Sequence, residues 1–202
     1  MFKRLFGGTI GLDRPTLAKW LAGKNPEQVR RWNQGFTAAL LEQLDSSQIV
    51  ESNTTETDRN GPGGELIKGR VIQLLCGGPL RLGFPDKQLT QGQADAAQRI
   101  YQSIADSGHG ELFAAAGAAA TFHAMSAWYT ENYADAASIA THIVTNLDPA
   151  NGEAYRIRAF ARIMMQDLES ARDDLQTGIR VMPSISGAKR PLEAVDRQLN
   201  SR

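Results

Sequence analysis

The sequence is poor in the residues that most often carry chemistry. It contains a single cysteine, Cys76, and three histidines among 202 residues. One cysteine excludes an intrachain disulfide framework and cannot supply the thiolate cluster of a structural zinc site. Cys76 follows two leucines, which is typical of a buried and unreactive thiol. We therefore expect a reducing, cytoplasmic compartment, no metal and no cofactor.

The sequence also lacks an excess of charge of either sign. Lys and Arg together number 22, as do Asp and Glu, so the net charge is +0. A neutral chain has no global electrostatic attraction to nucleic acid or to an anionic membrane, and such a partner would need a local patch. No stretch approaches the roughly 18 apolar residues that span a bilayer. We expect no stable membrane insertion, and we do not expect nucleic acid as the main partner.

No catalytic constellation is visible in the sequence. The three histidines do not form a pair at helical spacing with a nearby carboxylate, as a catalytic metal would need. The glycine runs at 61–64 and 77–78 lack the Gly-Lys-Ser/Thr ending that holds phosphate and magnesium. Asp173 and Asp174 are adjacent in a predicted helix, so their carboxylates diverge by roughly 100°. We predict no catalytic residues and a protein that is not an enzyme.

Capping signals predict two helices near the amino terminus. Asp13 as a cap and Pro15 in the first turn predict a short helix over 14–22. Asn25, followed by a proline, predicts a second start, after which apolar residues recur at steps of three and four to about residue 44. We interpret 1–44 as an amino-terminal helical hairpin.

The composition changes after residue 44. The segment 45–64 is rich in Ser, Asn, Thr, Glu and Asp, ends in Gly-Pro-Gly-Gly, and offers only Ile49 and Val50 for burial. Such a segment cannot offset its ordering entropy, so we predict a flexible linker. The apolar residues over 65–76 show no clean alternation and predict a buried helix. We place a helical domain at 65–202.

A fixed period appears in the carboxy-terminal half. Pro149 and Pro183 follow two predicted helices and lie 34 residues apart. Each segment also carries two alanines 12 residues apart, and the second pair is offset by 35 residues from the first. These alanines are Ala124 and Ala136 in the first segment, and Ala159 and Ala171 in the second. Small side chains at such places let the two helices of a hairpin approach closely.

This pattern resembles the tetratricopeptide repeat (TPR) family, whose period is 34 residues, with repeats at about 111–149 and 152–183. The chain departs from the family pattern at Gln166, where a turn glycine is usual, and at Gly178, where alanine is usual. The resemblance implies an all-α fold of antiparallel helical hairpins in a right-handed array. An ordinary antiparallel helical bundle is the alternative. Two hairpins need neighbours to bury their faces, so flanking helices or a second subunit must close the stack.

The resemblance also implies a function, because proteins of this family bind peptides or protein surfaces in a groove lined by the first helix of each hairpin. By position, six residues would bind a protein or peptide partner: Thr121, Met125, Trp128, Arg156, Phe160 and Ile163. Arg156 is the strongest candidate, since a guanidinium beside aromatic rings suits carboxylate or aromatic recognition. Aromatic residues and Met at helical spacing are also typical of a core. We predict a non-enzymatic scaffold or adaptor, with homodimer formation as a second use of unpaired hairpin faces.

The amino-terminal residues support a second hypothesis. Leu17–Ala22 and Val29–Gly35 are together similar to the helix-turn-helix of phage-repressor-type DNA-binding domains, with a turn one residue longer. Four residues would then face bases or phosphates: Gln28, Arg30, Arg31 and Asn33. The alternative function is a DNA-binding regulator with a helical sensing or dimerisation domain. The same segment can instead form a helical hairpin that docks on the array, and the absence of a predicted helix before residue 13 favours that interpretation.

Overall fold

The computed structural model describes residues 14–21, 25–59, 62–77, 89–107 and 110–201, and every regular element in these ranges is helical. In chain order the elements are α1 (Arg14–Leu21), α2 (Pro26–Ser46), α3 (Ile49–Asn53), α4 (Glu56–Arg59), α5 (Pro62–Cys76), α6 (Gln91–Ser107), α7 (Gly110–Tyr129), α8 (Tyr133–His142), α9 (Gly152–Met164), α10 (Leu168–Val181) and α11 (Lys189–Asn200). A π-helical segment, Ile143–Leu147, prolongs α8. The predicted all-α class is confirmed. None of the helices in these ranges combines the length and apolarity needed to cross a bilayer.

Two hairpins with matching turns form most of the carboxy-terminal half, α7 with α8 and α9 with α10. The first helix of each hairpin is followed by a residue with a left-handed backbone, Glu131 (φ 65°) in one and Gln166 (φ 70°) in the other. The next backbone N–H then returns to a carbonyl oxygen five residues earlier, at 2.9 Å in both turns. This closure is the Schellman motif, in which the left-handed position is usually glycine. The left-handed backbone of Gln166 explains why a glycine is usual at the corresponding turn position of tetratricopeptide repeats.

The residue after each left-handed position is the N-cap of the second helix of its hairpin. The Asn132 side chain accepts a hydrogen bond from the Asp135 N–H, and the Asp167 side chain accepts one from the Ser170 N–H. Each bond satisfies one of the orphan donors at a helix start. The four alanines of the predicted hairpin contacts are fully buried: Ala124, Ala136, Ala159 and Ala171. The two turns are thus built in the same way 35 residues apart.

The remaining helices surround these hairpins. The helix α9 packs on both α8 and α10, and α11 packs on the outer side of α10. The helix α5 packs on α6 and also touches α7, whereas the main partners of α6 are α5 and α3. Helix follows helix in the order of the chain from α7 to α11, so that this part of the fold is a consecutive stack.

The segment predicted as a flexible linker, 45–64, contains α3, α4 and the start of α5. Its two apolar residues, Ile49 and Val50, are only 8% and 7% exposed, and α3 packs on α6. Burial of these two side chains stabilises α3 within a stretch whose composition is otherwise that of a solvated loop. Hydrogen bonds within the segment assist, since the Thr54 hydroxyl donates to the Val50 carbonyl oxygen at 2.5 Å.

The helices predicted near the amino terminus are present, and both dock on the carboxy-terminal hairpins. The Asn25 side chain accepts from the Gln28 N–H at 2.8 Å, and Pro26 is the first residue of α2, as the capping pattern predicted. The main partner of α2 is α7, and α1 packs on α9. Asp13, which was predicted to cap α1, and residue 22, its predicted end, lie outside the described residues.

Candidate functional site

The six residues predicted to bind a partner lie on α7 and α9, the first helices of the two hairpins. All are buried. Thr121 is 9% exposed, Met125 is 7%, Arg156 is 5%, and the other three, Trp128, Phe160 and Ile163, are fully buried. The two amino-terminal helices cover this side of the hairpins, since α2 lies on α7 and α1 on α9. In this structure the amino-terminal helices of the same chain therefore occupy the side of the hairpins on which a partner was predicted to bind.

Arg156 holds the end of α1. Its Nη1 donates to the carbonyl oxygens of Trp20 at 2.9 Å and of Ser186 at 2.5 Å. Its Nη2 donates to the Leu21 carbonyl oxygen and to the Glu153 carboxylate. Trp20 and Leu21 are the last residues of α1, where carbonyl groups have no partner inside the helix and carry partial negative charge. The guanidinium thus serves as a cap for the carboxy-terminal end of α1.

Burial shifts the pKa values of both Arg156 and its partner Glu153. Desolvation lowers the pKa of Arg156 below its usual value, although Glu153 opposes the shift. Burial likewise raises the pKa of Glu153, against the attraction of the neighbouring guanidinium. A buried guanidinium is costly unless its donors are paired; the carbonyl oxygens of α1 pair with Nη1 and Nη2, whereas the buried Nε has no hydrogen-bond partner. That Arg156 binds a partner stays a prediction; in this structure its guanidinium is buried and contacts α1.

The helix α1 is fastened at both ends. At its start, Arg14 donates to the Tyr129 carbonyl oxygen at 2.6 Å and forms an ion pair with Glu131 at 2.6 Å. At its end, Gly187 lies so close that a β-carbon there would be 2.6 Å from the Trp20 carbonyl oxygen. Gly187 also has a φ of +74°, a backbone conformation that favours glycine. The helix thus reaches from the α7–α8 turn to the α10–α11 loop.

Two leucines attach α1 between these ends. Leu17 and Leu21 are 0% and 1% exposed, and they lie four residues apart on one helical face. The flank of α1 next to this face borders an open cleft of about 550 Å³. The lining residues of this cleft are Arg14, Pro15, Ala18, Lys19, Asn25, Pro26 and Tyr129. Space therefore remains beside α1 on the same side of the hairpins.

The interface between α2 and α7 contains a buried histidine. His123 is 9% exposed, its Nδ1 lies 2.8 Å from the Asn33 amide nitrogen, and its Nε2 lies 3.3 Å from the Thr37 hydroxyl. The amide nitrogen can only donate, so Nδ1 accepts and the neutral ring carries its proton on Nε2. Burial lowers the pKa of His123 to about 4. The ring is therefore neutral at physiological pH.

Aromatic packing surrounds this histidine. The Phe122 ring stacks on Phe36 at 5.1 Å and meets Trp32 edge-on at 5.1 Å. These contacts place the apolar stripe of α2 against α7, which is the docking arrangement foreseen for the helical-hairpin interpretation. Phe36 stays 37% exposed at the border of the interface.

Three of the four residues of the DNA-binding hypothesis reach the surface. Gln28, Arg30 and Arg31 are exposed, whereas Asn33 is turned inward to His123. Both arginines form ion pairs with Glu27, at 2.9 and 3.1 Å. Hydrogen bonds from Arg30 and then Arg31 lower the pKa of Glu27 to about 2, so this carboxylate is ionised at neutral pH. It neutralises part of the local positive charge.

One ionic cluster around a buried aspartate was not predicted from the sequence. Asp174 is 3% exposed and accepts hydrogen bonds from Arg158 at 2.6 and 2.9 Å and from Arg162 at 2.7 Å. Arg158 and Arg162 lie one turn apart on α9, a spacing that could have suggested a shared acid. The cluster joins α9 to α10. The neighbouring Asp173 is exposed, in agreement with the predicted divergence of the two carboxylates.

Two further residues that could carry chemistry, Cys76 and His142, lie at contacts between helices. Cys76 is buried, and burial raises the pKa of its thiol to about 12. The His142 Nε2 lies 3.0 Å from the Leu75 carbonyl oxygen, which links α8 to the end of α5. Within the described ranges, no group of three or more His, Cys, Asp or Glu side chains is arranged to hold a metal ion.

Fold and site together define an all-α protein in which two amino-terminal helices pack on the first helices of two helical hairpins. Comparison of the chain with protein-family models, with curated proteins and with solved structures gave no significant match.

Proposed function

We propose that the chain is a non-enzymatic protein-interaction scaffold of the cytoplasm. In this proposal the hairpins form a TPR-like right-handed array, and the inner helices α7 and α9 bind a segment of another protein. The observation that carries the proposal is the contact between Arg156 and α1. A side chain of the predicted groove already binds a helix there, through hydrogen bonds to the Trp20 and Leu21 carbonyl oxygens.

The hairpin turns support the repeat interpretation. Two Schellman closures 35 residues apart, each followed by an Asn or Asp cap, are what a duplicated helical hairpin would contain. The consecutive packing from α7 to α11 suits an array in which each hairpin contacts its neighbours. The helix α11 would then cover the last hairpin.

The DNA-binding alternative is less well supported by the same geometry. A reading helix needs its polar side chains free for base edges. Here Asn33 is engaged by His123, and Glu27 holds both Arg30 and Arg31. We therefore retain nucleic acid as an outcome to be tested.

The test is affinity capture from native lysate at low and high salt, with the wild-type chain and an Arg30→Glu/Arg31→Glu variant. We expect a discrete protein that is retained by both chains and survives high salt. Nucleic acid that is lost at high salt and in the variant would reverse the choice, because phosphate contacts are strongly salt-dependent. Light scattering on the purified chain separates a bound partner from a homodimer.

A further inference from the structure

The surface that holds α1 recognises its main chain more than its side chains. Arg156 contacts α1 only through carbonyl oxygens, those of Trp20 and Leu21. Every helix presents such carbonyls in its last turn, whatever its sequence. Among the side chains of α1, the fully buried ones are two leucines four positions apart, Leu17 and Leu21, and Ala18 and Trp20 pack partly buried beside them. This surface therefore fits any short amphipathic helix that ends at Arg156.

The chain's own occupant is suited to exchange. The helix α1 has eight residues, and an isolated helix of that length is marginal in water. Its starting ion pair joins Arg14, with a side chain 40% exposed, to Glu131, 60% exposed, and pairs so exposed contribute little. The open cleft beside α1 leaves an approach on the flank that carries Lys19. A longer helix could reach the same place with more contacts.

We propose that the partner of this surface is an amphipathic helix supplied by another protein, which displaces α1 and ends at Arg156. The inference rests on the proposed scaffold function and names the chemistry of its partner. The incoming helix needs two apolar side chains one turn apart and an uncapped last turn whose carbonyl oxygens accept from the guanidinium. While α1 is in place it acts as a competitor attached to the receptor, at the high effective concentration that a tether provides.

The experiment uses the full chain and a synthetic probe. The probe is a fluorescein-labelled, lactam-stapled, alanine-rich helix of about 16 residues, long enough to hold helical structure. It carries two leucines four positions apart, the second one residue before its end. A matched probe carries aspartates in place of both leucines. Fluorescence anisotropy gives the Kd for each receptor.

The first receptor pair is the wild type and Leu17→Asp/Leu21→Asp, which removes the competitor. We expect the variant to bind the leucine probe at least about tenfold more tightly than the wild type, because the tethered helix no longer competes. Adding Arg156→Gln should reverse that gain, whereas Arg180→Gln, an exposed arginine on α10, should not. Equal affinity of wild type and released variant, or equal binding of the aspartate probe, would overturn the inference.

A second releasing variant guards against misfolding of the first. Gly187→Ala places a β-carbon 2.6 Å from the Trp20 carbonyl oxygen. The clash pushes the end of α1 off its site without changing any residue of α1. Gly35→Ala is its matched control, since nothing lies within 4 Å of that β-carbon. Circular dichroism and thermal melting verify folding. If a protein partner is captured from lysate but neither released variant binds the probe, the helix inference falls and the scaffold proposal stands. Failure of both experiments would remove both.

Discussion

Acidification should weaken the fold through one histidine. His123 has a pKa near 4 in the folded chain, because burial disfavours the charged ring, against 6.5 for an unperturbed histidine. The unfolded chain therefore binds the proton first as the pH falls below 6.5. Stability that depends on the neutral ring is complete above that pH and is lost progressively down to pH 4.

The magnitude follows from the two pKa values. A difference between about 4 and 6.5 gives a loss of about 2 kcal/mol at pH 5 and about 3 kcal/mol at pH 4. For a domain of this size such a loss is a large share of the whole stability, which is typically about 5–15 kcal/mol. Urea denaturation followed by circular dichroism at pH 7, 6 and 5 measures it.

A variant separates His123 from all other titrating groups. His123→Gln is expected to be less stable than the wild type at pH 7, and the gap should narrow by about 2 kcal/mol at pH 5. Thr37→Val, which keeps the imidazole buried, should follow the wild-type pH dependence. The Glu153 carboxyl, whose pKa burial raises, has the opposite sign but titrates alike in all three proteins. Parallel curves for wild type and His123→Gln would refute the reasoning.

Other substitutions test the packing. Asp174→Ala should destabilise by roughly 2–4 kcal/mol in urea denaturation, because it removes the buried carboxylate that pairs with two partly buried arginines, whereas Asp173→Ala should change stability by less than about 0.5 kcal/mol. Gln166→Gly should stabilise by about 1 kcal/mol, seen as a higher Tm, because its φ of 70° strains any residue with a β-carbon; an unchanged or lower Tm would contradict this. Gly77→Ala should destabilise by about 2–4 kcal/mol, because its β-carbon would lie 2.0 Å from the His142 ring, and a wild-type melting curve would contradict that packing.

Local signals predicted the helices well. The cap at Asn25, the proline after it and the apolar periodicity of α2 act within a few residues of the chain, so that the sequence contains the information directly. The helix was expected to end at about residue 44 and ends at Ser46.

Contacts between distant segments could not be predicted in this way. Arg156 meets α1 across 135 residues of sequence, and no local pattern states that a helix will cover it. The helix α3 was not predicted because Ile49 and Val50 depend on packing against α6 for their burial, which composition alone does not reveal. The candidate groove residues lie on α7 and α9, and their burial, like the contact of Arg156 with α1, depends on tertiary packing that no local pattern states.

The contact of α1 with the α10–α11 loop has a consequence for synthesis. The ribosome makes α1 well before Ser186. The Ser186 carbonyl oxygen, which accepts from Arg156 as the Leu21 carbonyl oxygen does, follows Leu21 by 165 residues (186 − 21). At the usual rate of translation this delay is roughly 10–30 s. Leu17 and Leu21 have no partner helix until α9 has been made, and the loop that contains Gly187 follows later still. A nascent chain therefore exposes two leucines, on a segment too short to hold a stable helix alone, to whatever meets it at the ribosome until α9 is available.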